Sequence, residues 1–127
     1  MALQIYLIED DVRLRASIVD AISSICGAVV IGTAETEDQA VAWLNAHHGF
    51  WRLAVLDLFL KPGTGFGVLQ RLIPRDATEQ VIVLTNSATL ENRNRCLALG
   101  ALAVYDKTVQ LGDFLDHCVR HHQQTPI

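Results

Sequence analysis

The chain has 127 residues, half of them hydrophobic, and a formal net charge of -4. One domain with one core fits that length. With no Lys/Arg cluster, direct nucleic-acid binding is not expected, because it needs a basic face. No run approaches the roughly 20 apolar residues of a membrane span. The N-terminus lacks the basic-then-apolar layout of a signal peptide, so the expected setting is cytoplasmic, without membrane insertion. Cys26, Cys96 and Cys118 are widely spaced and form no C-x-x-C pair, which reads as reduced, partly buried thiols.

The first element is a short apolar strand, Gln4–Ile8, ending in Glu9-Asp10-Asp11. A helix follows, with Leu14, Ile18, Ile22 and Ile25 on one face and Asp11 placed to cap it. Val29–Ala34 is the second strand. Thr36-x-x-Gln39 resembles a capping box that opens a helix whose Ala40, Val41 and Leu44 point inward. His47 and His48 near its end suit the helix dipole. Leu53–Asp57 is the third strand, ending in a carboxylate. Gly63, Gly65 and Gly67 are expected to serve backbone turns rather than to cradle phosphate. Phe66 to about Ile73 forms a short helix stopped by Pro74. Val81–Leu84, followed by Thr85, is the fourth strand. Thr89 to Leu99 is a helix ended by Gly100. Ala103–Tyr105 is the fifth strand, followed by Asp106-Lys107. Leu111, Phe114, Leu115, Cys118 and Val119 then give a helix with a continuous apolar stripe. His117 and His121 share that helix at i, i+4 spacing. The expected unit is a single domain over 1–127, with its core at about 3–121 and a short polar C-terminal tail.

Strands apolar on both faces, alternating with helices, indicate a parallel sheet covered on both sides. Right-handed crossovers leave few topologies. The expectation is an α/β, flavodoxin-like, doubly wound sheet of five strands in order 2-1-3-4-5, with five helices. Its switch point lies between strands one and three, at the carboxyl ends where ligands bind.

Four strand tips then meet at one rim: Glu9 and Asp10, Asp57, Thr85 and Lys107. Carboxylates that close repel one another and call for a cation. Oxygen donors with open positions favour Mg²⁺, with Mn²⁺ as an alternative. The backbone carbonyl of Phe59 could complete the metal shell. A carboxylate can attack a phosphoryl group to form an acyl phosphate. Charge on the phosphoryl oxygens then needs partners, which Lys107 and the Thr85 hydroxyl can supply.

Ile8-Glu9-Asp10-Asp11, Leu56-Asp57-Leu58 with Gly65 eight residues past Asp57, Leu84-Thr85 and Asp106-Lys107 resemble the motifs of response-regulator receiver domains of two-component signalling. The resemblance runs from about Leu3 to about His121. It implies that Asp57 is the phosphoacceptor and that Asp10 and Asp57 bind Mg²⁺ directly, with Glu9 acting through water. It further implies that Thr85 is the switch hydroxyl and Lys107 the phosphate-binding lysine. The chain departs from the family pattern in four places. Thr108 stands where proline usually follows the lysine. The switch aromatic's place holds Val104, and strand alternation sends Tyr105 to the opposite face, which sets the usual hydroxyl–aromatic coupling in question. The small residue after the switch hydroxyl is replaced by Asn86. Lys61 takes the place of the usual proline, with Pro62 one residue later.

The expected function is a phosphoacceptor switch, not an enzyme beyond its own phosphoryl transfer and dephosphorylation. Its partners would be a sensor histidine kinase or histidine phosphotransfer protein and a downstream protein target. Phe59 and Asn86 are expected to crowd the approach of water to the phosphoryl group, and Ser87 offers no group to orient that water. An unphosphorylated receiver-like adaptor is the alternative. A flavin carrier would need a Ser/Thr/Gly-rich loop where Glu9-Asp10-Asp11 stands. A dehalogenase-type phosphatase would want an aspartate at Phe59. Trp51, near strand three, is the expected reporter of magnesium binding.

Overall fold

The structure, a computed structural model, describes residues 3–72 and 75–124, with side chains up to residue 120. Its elements are β1 (Gln4–Ile8), α1 (Val12–Ala21), a π-turn (Ile22–Cys26), β2 (Val29–Ala34), α2 (Glu37–Ala46) and β3 (Leu53–Leu56). They continue with α3 (Gly65–Arg71), β4 (Gln80–Thr85), α4 (Leu90–Ala98), β5 (Ala103–Asp106) and α5 (Leu111–Gln124). The five strands form one parallel sheet in order β2-β1-β3-β4-β5, the flavodoxin-like arrangement expected. The expected stop of α3 near Ile73 and Pro74 lies outside the described residues, as does the side chain of His121.

Side-chain alternation along the strands builds two apolar layers. Tyr6, Ile8, Ala54, Leu56, Val81, Val83 and Val104 face α2, α3 and α4. Ile5, Leu7, Leu53, Val55, Ile82 and Leu84 face α1 and α5 with Phe114 and Cys118. Tyr105 joins this second layer, edge-on to Phe114, so the alternation that sends it away from Val104 holds. Cys26, Cys96 and Cys118 are buried and free.

Local chemistry starts the helices. Asp11 Oδ1 accepts from the Arg13 and Leu14 N–H groups at 3.0 and 3.1 Å. Thr36, Thr64 and Thr89 cap α2, α3 and α4 in the same way. At α2 the box is shifted by one residue. Thr36 takes the Gln39 N–H, but Gln39 Oε1 takes the N–H of Glu35 rather than that of Thr36.

One expected core residue lies outside. Ile18 and Ile22 are buried, but Ile25 is 61% exposed and Cys26 is buried instead. The cause is the π-turn. Its wider turn brings i+4 from Ile22, not i+3, back to the core face. No described helix is long and apolar enough to cross a membrane. Trp51 is fully buried and donates Nε1–H to the Leu44 carbonyl. It enters β3 six residues before Asp57, about 20 Å away at strand rise, so it sits at the wrong rim to report on the acidic cluster.

Ile22→Ala should cost about 2–5 kcal/mol through lost burial and the cavity left behind. Ile25→Ala should stay within about 0.5 kcal/mol, as for other exposed positions. Urea unfolding of both variants checks the π-turn's effect; equal losses would contradict it.

Candidate functional site

Sheet hydrogen bonds carry the strands past their ends and fix the acidic tips. The Glu9 N–H donates to the Ala34 carbonyl, that of Asp57 to the Ile8 carbonyl, and that of Lys107 to the Thr85 carbonyl. Glu9, Asp57 and Lys107 therefore continue the alternation of Leu7, Val55 and Tyr105, on the α1/α5 side. Thr85 continues that of Val83, on the other side.

That parity explains which groups meet. Lys107 Nζ donates to Glu9 Oε1 at 2.5 Å and to Asp57 Oδ2 at 2.7 Å. The three side chains are 8%, 2% and 10% exposed. Asp10 is half-buried and completes the group: one carboxylate oxygen from each of Glu9, Asp10 and Asp57 lies within 4.8 Å of the others. The Leu58 N–H holds Asp57 Oδ1 at 2.7 Å. The Thr85 hydroxyl is fully buried and accepts from the Ser87 N–H at 3.1 Å.

The loops around the cluster are fastened by residues that periodicity did not mark. Arg15 Nη1 holds the Glu9 carbonyl (3.0 Å) and pairs with Glu35 (3.1 Å). Glu37 takes the Thr64 N–H and pairs with Arg71, tying the loop after β3 to α2. Gly65 lies so close to this strand end that a Cβ would stand 2.4 Å from the Asp57 carbonyl oxygen. Gly63 has φ +102°, a region that favours glycine. At Gly65 the need is thus close approach, not turning.

Phe59, 53% exposed, lines a shallow cleft with Asp10, Asp11 and Lys61. Asn86 bridges to the next loop. Its Oδ1 accepts from the Thr108 hydroxyl at 3.1 Å, joining the loops after β4 and β5. Ser87 contributes main chain, its carbonyl accepting from Asn92 Nδ2 at 2.8 Å. Val104 is buried beside α4, whereas the Tyr105 hydroxyl lies 2.5 Å from His117 Nδ1. At the opposite rim, buried Glu79 gathers His48 Nδ1 and the Gly49 and Asp76 N–H groups. His47 Nδ1 lies 2.7 Å from the Trp43 carbonyl.

Burial raises the Glu9 carboxyl above its ordinary 4.5; the Lys107 hydrogen bond opposes this, and the Asp57 charge adds to it. For Lys107, burial alone is a lowering influence. Its hydrogen bonds to Asp57 and Glu9 outweigh that and hold it above 10.5. A raised acid and a raised base thus share one ion pair. Lys107 is therefore charged at neutral pH, and Glu9 bears the desolvation.

A model of the family "Response regulator receiver domain" matches residues 5–118, and the chain belongs to that family. Receiver domains are the phosphoacceptor switches of two-component systems. They receive phosphate from histidine kinases or phosphotransfer proteins, bind Mg²⁺ in an acidic pocket, and are signalling domains rather than classical enzymes. The transcriptional regulatory protein CiaR of Streptococcus pneumoniae (strain ATCC BAA-255 / R6) is 28% identical over 99 residues, 78% of this chain and 42% of CiaR. The chain therefore spans less than half of that relative. A chain of the CheX–CheY–BeF₃–Mg complex from Borrelia burgdorferi superposes with TM-score 0.84 at 19% identity, covering 93% of this chain and 87% of that one. The signal receiver domain of a DNA-binding response regulator from Colwellia psychrerythraea 34H gives 0.83 at 23% identity, covering 96% and 99%.

Above pH 4.5 the unfolded chain releases the Glu9 proton before the folded one does. The folded state then holds more protons, so this contribution to stability falls as pH rises through the raised folded value. Without divalent cations, the stability of Glu9→Gln relative to wild type should therefore grow as pH rises above 4.5. Urea midpoints across that range measure it; a difference that stays flat or shrinks contradicts the reading.

Proposed function

We propose that this receiver domain accepts a phosphoryl group on Asp57 from a phosphohistidine partner, with Mg²⁺, and so alters a binding surface read by a downstream protein. The partner would be a sensor histidine kinase or a histidine phosphotransfer protein. The folding unit would be one receiver domain, with its core at about 3–121. The observation that carries the reading is the gathering of Glu9, Asp10, Asp57 and Lys107 around one strand end.

The donor set suits a divalent ion. Three carboxylates and one ammonium leave two negative charges, which hard oxygen-seeking cations such as Mg²⁺ or Mn²⁺ neutralise. Asp10 and Asp57 would hold it directly and Glu9 through water. The Phe59 carbonyl fits the set as well. Phe59 pairs with Thr64 through bonds at the flanking residues, Leu60 to Gly63 and Gly65 to Leu58, so that short ladder leaves the Phe59 carbonyl unused. When bound, the ion supplies charge neutralisation between nucleophile and phosphoryl donor.

The chain's own groups do the rest. An Asp57 carboxylate oxygen bonds to phosphorus as the P–N bond of phosphohistidine breaks, and the imidazole keeps the electron pair. Lys107 moves its charge from the carboxylate to a phosphoryl oxygen, and the Thr85 hydroxyl donates to another. A hydroxyl that accepts from Ser87 still has its proton to give. The missing aromatic at 104 and proline at 108 favour a second reading, an unphosphorylated receiver-like adaptor.

Incubation with a phosphohistidine donor and Mg²⁺ should label wild type and leave Asp57→Asn unlabelled. Equal labelling of both would remove Asp57 as the acceptor; no labelling of wild type would favour the adaptor. Mg²⁺ at ten times its Kd should stabilise wild type by about 1.4 kcal/mol, and Asp10→Ala should lose that gain in a thermal melt. Phe59 also sets lifetime. Opening its side of the cleft with Phe59→Asn should speed loss of phosphate, and a rate equal to or below wild type would refute this.

A further inference from the structure

One guanidinium ties together the loops that follow β4 and β5. Arg93, half-buried on α4, donates Nε–H to the Ala88 carbonyl at 3.0 Å, in the loop after β4. It donates Nη1–H to the Val104 carbonyl on β5 and Nη2–H to Gln110 Oε1, both at 2.6 Å. Gln110 Oε1 also accepts from the Asp106 N–H at 3.0 Å, and the Gln110 N–H returns to the Asp106 carbonyl. Arg93 thus grips the segment just beyond Lys107 and the segment just beyond Thr85 at once. A lysine could not copy this, because only the planar fork offers donors in three fixed directions. At Val104 the arginine bonds the main chain, not the side chain.

We propose that Arg93 is the positioning residue that holds the resting arrangement of these loops and couples the state of Asp57 to the α4–β5 face. The inference rests on the phosphoacceptor reading above. Lys107 now sits on Asp57 Oδ2, so a phosphoryl group bound to that carboxylate must draw the ammonium onto its own oxygens. That draws the 106–110 segment against the Arg93–Gln110 contact. Any group that stabilises only the resting arrangement lowers apparent affinity for whatever requires the other one.

The test adds beryllofluoride with Mg²⁺ to wild type, Arg93→Ala, Arg93→Lys and Gln110→Ala, and follows affinity and amide hydrogen exchange. Arg93→Ala should bind about fivefold tighter, the lower end of ordinary coupling. Residues 86–90 and 104–110 should already exchange quickly in its free state and change less on binding. Gln110→Ala, which breaks one contact from the other side, should move partway in the same direction; it carries the test if Arg93→Ala does not fold. Arg93→Lys should follow Arg93→Ala rather than wild type. Unchanged or weaker binding, with a wild-type exchange response in both segments, overturns the proposal, since a merely structural arginine would do that. No binding by wild type would instead overturn the phosphoacceptor reading and this inference with it.

Discussion

The structure depends on one electrostatic constraint: carboxylates at the ends of two buried central strands must be neutralised. Glu9 and Asp57 are almost wholly enclosed, and water cannot screen their charges well there. Lys107 answers with two contacts from one ammonium. Breaking such a pair by removing one partner costs roughly 3–5 kcal/mol, because a charge stays buried and unmatched. A bland apolar rim would cost nothing of the kind. The charges are therefore better understood as groups kept ready for chemistry than as a source of stability.

The rest of the rim keeps these groups in place. Main-chain bonds extend the parallel ladders one residue beyond β1, β3 and β5, so the positions of Glu9, Asp57 and Lys107 are inherited from the sheet and not from mobile loops. Arg15 and Glu37 then fasten the loops after β1 and β3 to neighbouring helices. Gly65 allows the start of α3 to press against the Asp57 main chain. Rigid support of this kind keeps a reacting group within reach of its partners without an ordering cost at the moment of reaction.

The layout of the sheet and four of its tips were legible in the sequence because they follow period-2 alternation and the composition of strand ends. The apolar stripe of α5 was equally plain. Ile25 was misassigned because a π-turn changes the local period, and nothing in Ser23-Ser24-Ile25-Cys26 announces one. Arg93, Gln110, Glu37 and Glu79 were not singled out. Each acts through a long side chain whose partners include a residue outside its own element, and such contacts have no periodic signature. Asn86 has a partner that its own loop does not predict. Its bond to Thr108 shows how a loop residue's partner depends on the second loop, which the first cannot encode.

Parity across the sheet also separates two kinds of ligand. Glu9, Asp57 and Lys107 fall on the α1/α5 side, while the Thr85 hydroxyl falls on the α4 side and is engaged by Ser87. A cation bound among the carboxylates relieves their repulsion, yet a hydroxyl proton gains nothing by facing a cation. A phosphoryl group has three peripheral oxygens, all acceptors. A ligand of that shape would offer acceptors to Lys107 on one side and to Thr85 on the other at the same time. Metal alone would therefore stabilise the rim without recruiting the loop after β4, whereas a phosphoryl group on Asp57 would engage both loops. Differential contact between two states is what any switch requires, and here it follows from which side of one sheet each tip occupies.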